Sequence, residues 1–575
     1  MNALDASRSE RARQAALEAA VALPGPDPVP TITYHSAGKT LIVGSAAEVA
    51  PLADALCGQL DLTVLLTDPA PRGALEPLRP YLVRRAHSVR IRGYLGAFDV
   101  AWQADSGAGE ARVDLVLDLS PSPLMAQHQA SPGYFAPGAQ PAERALAVQR
   151  LADMIGEFEK PKYFNYKERL CAHSRNRQVG CNACIDICSA RAIEGAGERI
   201  KVTAQLCAGC GACSTVCPSG ALAYAYPDAR YTGTRLRTLI HTYRASGCGA
   251  PVLLFHSGEH GKALIGALEL GVLKLGALEL GALELGALKL GARESDAPGV
   301  PAEVIPVELE HAASVGIEVW LAALAYGAGA VRVLMTDEEA PQYRSAVAAQ
   351  MAIANAILNG LGYLGEHCQL LQVTAPAQLG AALALPVDGI NMAEAGTFHL
   401  MADKRNSLDL VLSHLVRHAP LKPDYVPLPA GAPFGAVRVD TTACSLCMAC
   451  VGACPSSALM DSPTAPQLRF VEKNCVQCGL CAATCPENAI VLEPRMAFAD
   501  SWNTAVVLHE STPFCCIRCS KPFGTLQMIE NMLGKLGAHP AFAGNLERLR
   551  MCGDCRVIDM MKSGDSARVS GQHRQ

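Results

Sequence analysis

The chain has 575 residues, a formal net charge of −5, 18% charged residues and only 5% aromatics. That length calls for several domains, each with a core of its own, and the mildly acidic balance gives nucleic acid no purchase as the main partner. The 24 cysteines dominate the composition. In an exported chain they would suggest disulfides, but the opening MNALDASRSERARQAALEAA is charged and Ala-rich, unlike a signal peptide. No run of about 18 uncharged apolar residues occurs either, so no membrane span is expected. A cytoplasmic location follows as the expectation. In that reducing compartment, cysteines at short fixed spacing are read as metal ligands.

Residues 1–30 predict a helix followed by the Pro-rich linker LPGPDPVP. Residues 31–140 predict a Rossmann-like α/β domain. Its segment KTLIVGSAAEVAPLADALCGQLDLTVLLTD runs apolar stretch, small-residue turn, amphipathic helix, apolar stretch, a βαβ pattern. A dinucleotide site wants G-x-G-x-x-G at that turn. Only Gly44 of the three glycines is present, so a scaffold without nucleotide is expected, with Asp68 the lone suggestive residue. VDLVLDLSPSPL adds a strand. A linker helix is placed in 141–164, where Val148, Leu151, Ile155 and Phe158 would share one face.

The stretch LCAHSRNRQVGCNACIDICSARAI, residues 170–193, carries Cys181, Cys184 and Cys188 at C-x2-C-x3-C. That is one ligand short of the iron–sulfur run C-x2-C-x2-C-x3-C. Three further copies are complete: Cys207, Cys210, Cys213 and Cys217; Cys444, Cys447, Cys450 and Cys454; Cys475, Cys478, Cys481 and Cys485. Each complete copy continues C-P-x-x-A-(I/L), and the first keeps this tail with Ser189 in place of Pro. Apolar alternation in RIKVTAQLC, AVRVDTTAC and LRFVEKNC predicts a short strand before each later loop. Three cysteines in one tight loop can aim their thiolates at three irons of a cube, while the fourth points away to a neighbouring cluster. Motifs therefore come in pairs, and here Cys188 to Cys207 and Cys454 to Cys475 are short separations whereas Cys217 to Cys444 is long. Structural zinc, the competing reading, has no use for the third cysteine and trailing C-P. Cys171 is the candidate for the missing ligand, with AHSRNRQVG as a polar loop bulging between it and Cys181. The alternative is a three-cysteine site holding a [3Fe–4S] cluster.

On these motifs, residues 165–230 and 436–495 each resemble a two-cluster, 8Fe bacterial ferredoxin domain. The resemblance implies four [4Fe–4S] clusters and a crossed ligation. One cluster would take Cys207, Cys210, Cys213 and Cys188, and its neighbour Cys181, Cys184, Cys217 and, if it completes the set, Cys171. In the second module Cys444, Cys447, Cys450 and Cys485 would hold one cube, and Cys475, Cys478, Cys481 and Cys454 the other.

Between the modules, residues 231–435 predict another α/β domain. Its strands are PVLLF, AEVIPV, AVRVLMT and QLLQV, with a long helix in YRSAVAAQMAIANAILNGLGY. The segment GIEVWLAALAYGAGAVRVLMTD resembles the small delta subunit of methyl-viologen-reducing hydrogenases. That family's cluster cysteines are missing here, so the likeness implies a fold only. HSGEH at His256–His260 matches the H-x-x-E-H zinc-protease pattern, but with Ser257 and Gly258 after a strand it is expected to be a loop. Residues 262–294 hold a five-residue repeat with Gly266, Gly271, Gly276, Gly281, Gly286 and Gly291. An odd period swaps strand faces at every copy and gives a helix no continuous apolar side, so an expansion lengthening a surface loop or helix is expected.

Residues 496–575 supply Cys516, Cys519, Cys552 and Cys555, two C-x2-C knuckles that make a tetrahedral all-thiolate site in a zinc-ribbon-like region. Zinc is the expected ion, with a rubredoxin-like iron or a further cluster the alternative, and Cys515 could replace Cys516. TLQMIENMLGKLGAH reads as an amphipathic helix filling the gap. Cys57, Cys248 and Cys368 have no partners at ligand spacing and are expected as small buried hydrophobes. The fold class is thus multidomain α/β plus α+β. No catalytic constellation is visible. The chain reads as a polyferredoxin passing single electrons, with an iron–sulfur assembly or maturation factor as the second reading and an enzyme fed by the clusters as the third. The whole resembles bacterial multi-cluster 4Fe–4S proteins that accompany formate-dehydrogenase-type molybdoenzymes, which implies redox-protein partners of that kind.

Overall fold

The computed structural model describes residues 3–69, 79–270, 299–537 and 545–562. Two parallel sheets frame the molecule. The N-terminal sheet has five strands in the order Leu82–Arg85, Asp61–Leu66, Lys39–Gly44, Leu115–Asp118, Tyr134–Phe135. Every adjacent pair is parallel. A parallel sheet is covered on both faces, and accordingly Leu41, Ile42 and Val43 are all at most 1% exposed. An antiparallel meander, Ser88–Tyr94, Ala97–Ala104 and Gly107–Val113, lies within this domain; its alternating burial belongs to a sheet with one wet face.

The linker helix is shorter than expected. It spans Pro141–Asp153, and Ile155 and Phe158 lie beyond it. Gly156 takes a φ of +126°, a conformation open to glycine alone, and the chain leaves the helix for strand Gly156–Pro161, antiparallel to Thr31–Ser36. Leu151 and Phe158 still reach one core, but Ile155 is 45% exposed. The four residues therefore do not share a helical face.

The central sheet runs Val304–Leu309, Val252–Ser257, Ala330–Met335, Cys368–Gln372, again all parallel. Helix Ile317–Ala325 buries every residue except Glu318, and Pro341–Gly360 packs nearby on the same core. The N-terminal helix Ala3–Val21 joins this core rather than the domain next to it in sequence. Ala12, Ala16 and Ala20, four apart on one face, are buried in it, and Arg8 donates to the carbonyl of Ser246 at 2.8 Å, just past helix Ala229–Ala245.

Of the repeat's glycines only Gly266 is among the described residues, inside helix His260–Leu270; the repeat beyond residue 270 lies outside them. In HSGEH, His256 ends in a strand and His260 opens that helix. His256 Nδ1 bonds the carbonyl of Ser257, and His260 faces Asp337 at 3.4 Å. Asp68 is held by Arg85 at 3.2 Å. Among the described residues no helix is long and apolar enough to cross a membrane.

The two small modules share one plan. The first has antiparallel pairs Phe164–Tyr166 with Leu222–Tyr224 and Ile193–Ala196 with Arg199–Val202. The second has Gly435–Val439 with Ile490–Ala497 and Leu459–Met460 with Gln467–Phe470. Each carries two five-residue helices, Ala183–Ile187 and Ala212–Val216 in one, Ala449–Ala453 and Leu480–Thr484 in the other.

Candidate iron–sulfur and metal centres

Each motif tail ends in a bend that feeds a hydrogen bond back to its last cysteine. Arg191, Gly220, Ser457 and Asn488 all take left-handed φ, between 50° and 69°. The next backbone N–H then points at sulfur: Ala192 to Cys188 at 3.2 Å, Ala458 to Cys454 at 3.2 Å and Ala489 to Cys485 at 3.4 Å. In the remaining copy Leu222 donates to Cys217 at 3.4 Å. Ser189 therefore fills the place of proline without changing the turn.

The front of each complete motif is also left-handed, at Gly209 and Gly211, at Leu446 and Met448, and at Gln477 and Gly479. These bends curl the loop so that its cysteines converge. The first motif does it differently. Cys171 follows a turn in which its N–H bonds the carbonyl of Glu168 at 3.0 Å, as Cys475 does to Glu472 at 2.9 Å. The nine residues that follow are not an irregular bulge but a hairpin, Ser174–Arg175 paired with Gln178–Val179. Its tip, Asn176 and Arg177, has positive φ at both positions, the geometry of a tight two-residue turn. The hairpin closes with Cys181 N–H bonding Ala172 O at 3.0 Å, which returns Cys181 beside Cys171.

Four thiol cages result. Cys171, Cys181, Cys184 and Cys217 line one pocket; this is the first cage. In the second, Cys207, Cys210 and Cys213 have raised pKa values, through burial first and then through neighbours that include Cys188. Cys444, Cys447, Cys450 and Cys485 line another pocket, the third cage. Cys454, Cys475, Cys478 and Cys481 line the fourth. Burial pushes Cys184, Cys450 and Cys481 up to about 12. Thiols held this way need a cation to ionise, which fits an iron centre.

Electrostatic interactions between thiols link the cages in a row. Cys184 is among the thiols acting on Cys213, and Cys450 among those acting on Cys481. Between modules, Cys478 acts on Cys181. The joint is tight: a Cβ on Gly180 would lie 2.6 Å from Cγ of Leu480. The order is second, first, fourth, third. Only at the last does a ligand candidate, Cys447, stand exposed.

Sequence reasoning missed the polar groups around the cages. Tyr343, from the central domain, donates to Cys210 Sγ at 3.2 Å, and Gln477 donates to Cys475 Sγ at 3.3 Å. Lys160, Arg175 and Arg405 donate to the carbonyls of Cys207, Cys171 and Cys475. Single polar residues carry no spacing pattern that would betray them.

Cys516, Cys519, Cys552 and Cys555 bring one sulfur each within 4.8 Å of all the others, with Cys519 and Cys552 at 3.6 Å. A tetrahedron with ~2.3 Å Zn–S bonds has edges of ~3.8 Å, so the quartet fits a single ion. Cys515 stands outside it, exposed on strand Pro513–Cys515. Of the spare cysteines only Cys368 is buried; Cys57 and Cys248 are half-buried, which corrects the expectation for those two.

Residues 443–490 match the family model of a 4Fe–4S dicluster domain, and residues 179–221 match a second model of the same description. The latter match begins after Cys171. No curated protein matches the chain. Two dicluster domains define an iron–sulfur protein of the ferredoxin type, and the four-cysteine quartet near the C-terminus is a further site able to bind a metal.

Proposed function

We propose that the chain is a cytoplasmic polyferredoxin that holds four [4Fe–4S] clusters and one zinc ion and passes single electrons between redox proteins. The observation that carries this reading is the continuity of the cages. When bound, each cluster takes up and releases one electron. The electrostatic links of Cys184 with Cys213, Cys181 with Cys478 and Cys450 with Cys481 support the three junctions of one row. The left-handed bends curl the motif loops and backbone N–H groups hold the last cysteines, Cys188, Cys217, Cys454 and Cys485, which limits reorganisation. Cys447 opens the third cage to a docking partner, and Tyr343 ties the second to the central domain. On the resemblance to proteins that accompany molybdoenzymes, a formate dehydrogenase or related enzyme is the partner we assign.

Electron paramagnetic resonance of the fully reduced native protein tests the row. Clusters in contact broaden one another's signals through spin–spin interaction, and four unbroadened signals would contradict it. A maturation factor would instead give up its iron. The native chain incubated with an apo-ferredoxin is expected to retain its clusters, and transfer would favour the assembly reading.

A further inference from the structure

Among the described residues, two half-buried cations beside the cages make no ion pair. Lys160 Nζ donates to the carbonyls of Gln205 and Cys207, both at 2.8 Å, and sits 5.0 Å over the ring of Tyr34. Arg405 donates to the carbonyls of Pro433 at 3.0 Å, Lys473 at 2.7 Å and Cys475 at 3.1 Å, and stacks 4.9 Å from Phe434. Their neighbours do pair: Lys404 reaches Glu318 at 3.5 Å, Lys473 reaches Asp409 at 2.7 Å and Arg495 reaches Glu472 at 2.7 Å.

Burial without a direct ion pair is costly, and it shows, although Asp403 and Asp409 partly offset it at Arg405. Burial lowers Lys160 to about 8 and Arg405 to about 10. Arg405 also stands in the first turn of helix Lys404–Arg417, where the helix dipole disfavours a cation. Neither residue is placed there for helix or ion-pair stability. What they share is the leading cysteine of a cage, Cys207 in the second and Cys475 in the fourth. A cube with four thiolates is an anion and gains one more negative charge on reduction, so a desolvated cation beside it favours the reduced form.

Resting on the four-cluster reading, we propose that Lys160 and Arg405 are positioning residues that raise the reduction potentials of the second and fourth clusters, each as the counter-charge its cage would otherwise lack. In the first cage Arg175 makes the same kind of bond, to the carbonyl of Cys171 at 3.1 Å, from a more exposed position; the third cage has no such cation among the described residues, and the carboxylate of Asp440 is among the charges acting on Cys444.

The test is a redox titration of the anaerobically purified full chain at pH 7, read by electron paramagnetic resonance. It compares Lys160→Gln and Arg405→Gln, which keep a donor for the carbonyl but lose the charge, with Lys160→Arg and Arg405→Lys, which keep it. At a fixed potential the glutamine variants are expected to lower the reduced-to-oxidised ratio of one cluster each, on the order of tenfold. The charge-keeping variants are expected to stay within a few-fold of native. Full iron with unchanged midpoints in the glutamine variants overturns the proposal and leaves the four-cluster reading standing. Loss of a cluster in a glutamine variant, with Arg or Lys restoring it, shows a holding role and also overturns it. A native chain without iron would sink the parent reading instead.

Discussion

Gly211 shows how closely one motif residue is bound to its surroundings. Its φ is +72°, and an added Cβ would lie 2.6 Å from Cα of Ser314 in the central domain. Gly211→Ala is therefore expected to lose at least ~1–2 kcal/mol from the left-handed backbone alone, read as a lower denaturant midpoint, with the second cage the first to lose iron. Cys171 makes the complementary case. Cys171→Ala removes one thiolate from the first cage, so iron should fall from about 16 to about 15 per chain, with a [3Fe–4S] signal present before reduction. Unchanged iron would exclude Cys171 as a ligand. The candidacy of Cys171 was legible because the repeat extends past its cysteines into the C-x-x-x-A tail, which marked the first copy as a true motif with a ligand to find. Lys160 and Arg405 were not legible, since a lone cation in a sequence says nothing of which carbonyl it will meet.

The hairpin Ser174–Val179 is one of the elements that join the modules, beside helix Lys404–Arg417, whose Lys404 and Arg405 bond one module each. The hairpin's exit residue, Gly180, packs on Leu480, which is fully buried at the start of helix Leu480–Thr484. Gly180→Val should pry the first and fourth cages apart while each module keeps its iron; loss of the spin–spin broadening between them is the readout. Leu480→Ala should cost ~2–5 kcal/mol as a buried large-to-small change, measured by denaturation. In the sequence this segment reads only as a polar loop, because its turn is Asn176-Arg177 and lacks the Asn-Gly signature that announces a tight hairpin. The central strands, by contrast, stand out as short apolar stretches, although Arg332 and Gln369 lie inside two of them. The linker helix is shorter than its apolar spacing predicts for a local reason: Val148, Leu151, Ile155 and Phe158 keep helical spacing, but the helix stops at Asp153 and the chain turns at Gly156 into a strand.

At the scale of the molecule, contacts between distant segments decide the arrangement, and these have no sequence signature. The N-terminal helix crosses to Ala229–Ala245, and the C-terminal lobe docks on the third cage. There Thr525 donates to the Ser445 carbonyl at 3.1 Å, and Lys535 pairs with Glu487 at 3.0 Å. Cys552→Ser should release the lobe's metal and loosen this contact, seen as faster proteolysis after residue 510, without loss of iron. The cysteine framework and the two α/β patterns were legible; the order of the cages was not, because Cys181 meets Cys478 only through the fold. The metal content of the native chain purified without oxygen decides whether the four-cluster row exists. About 16 iron, matching sulfide and one zinc are predicted. Iron near zero with several zinc ions would contradict the account outright.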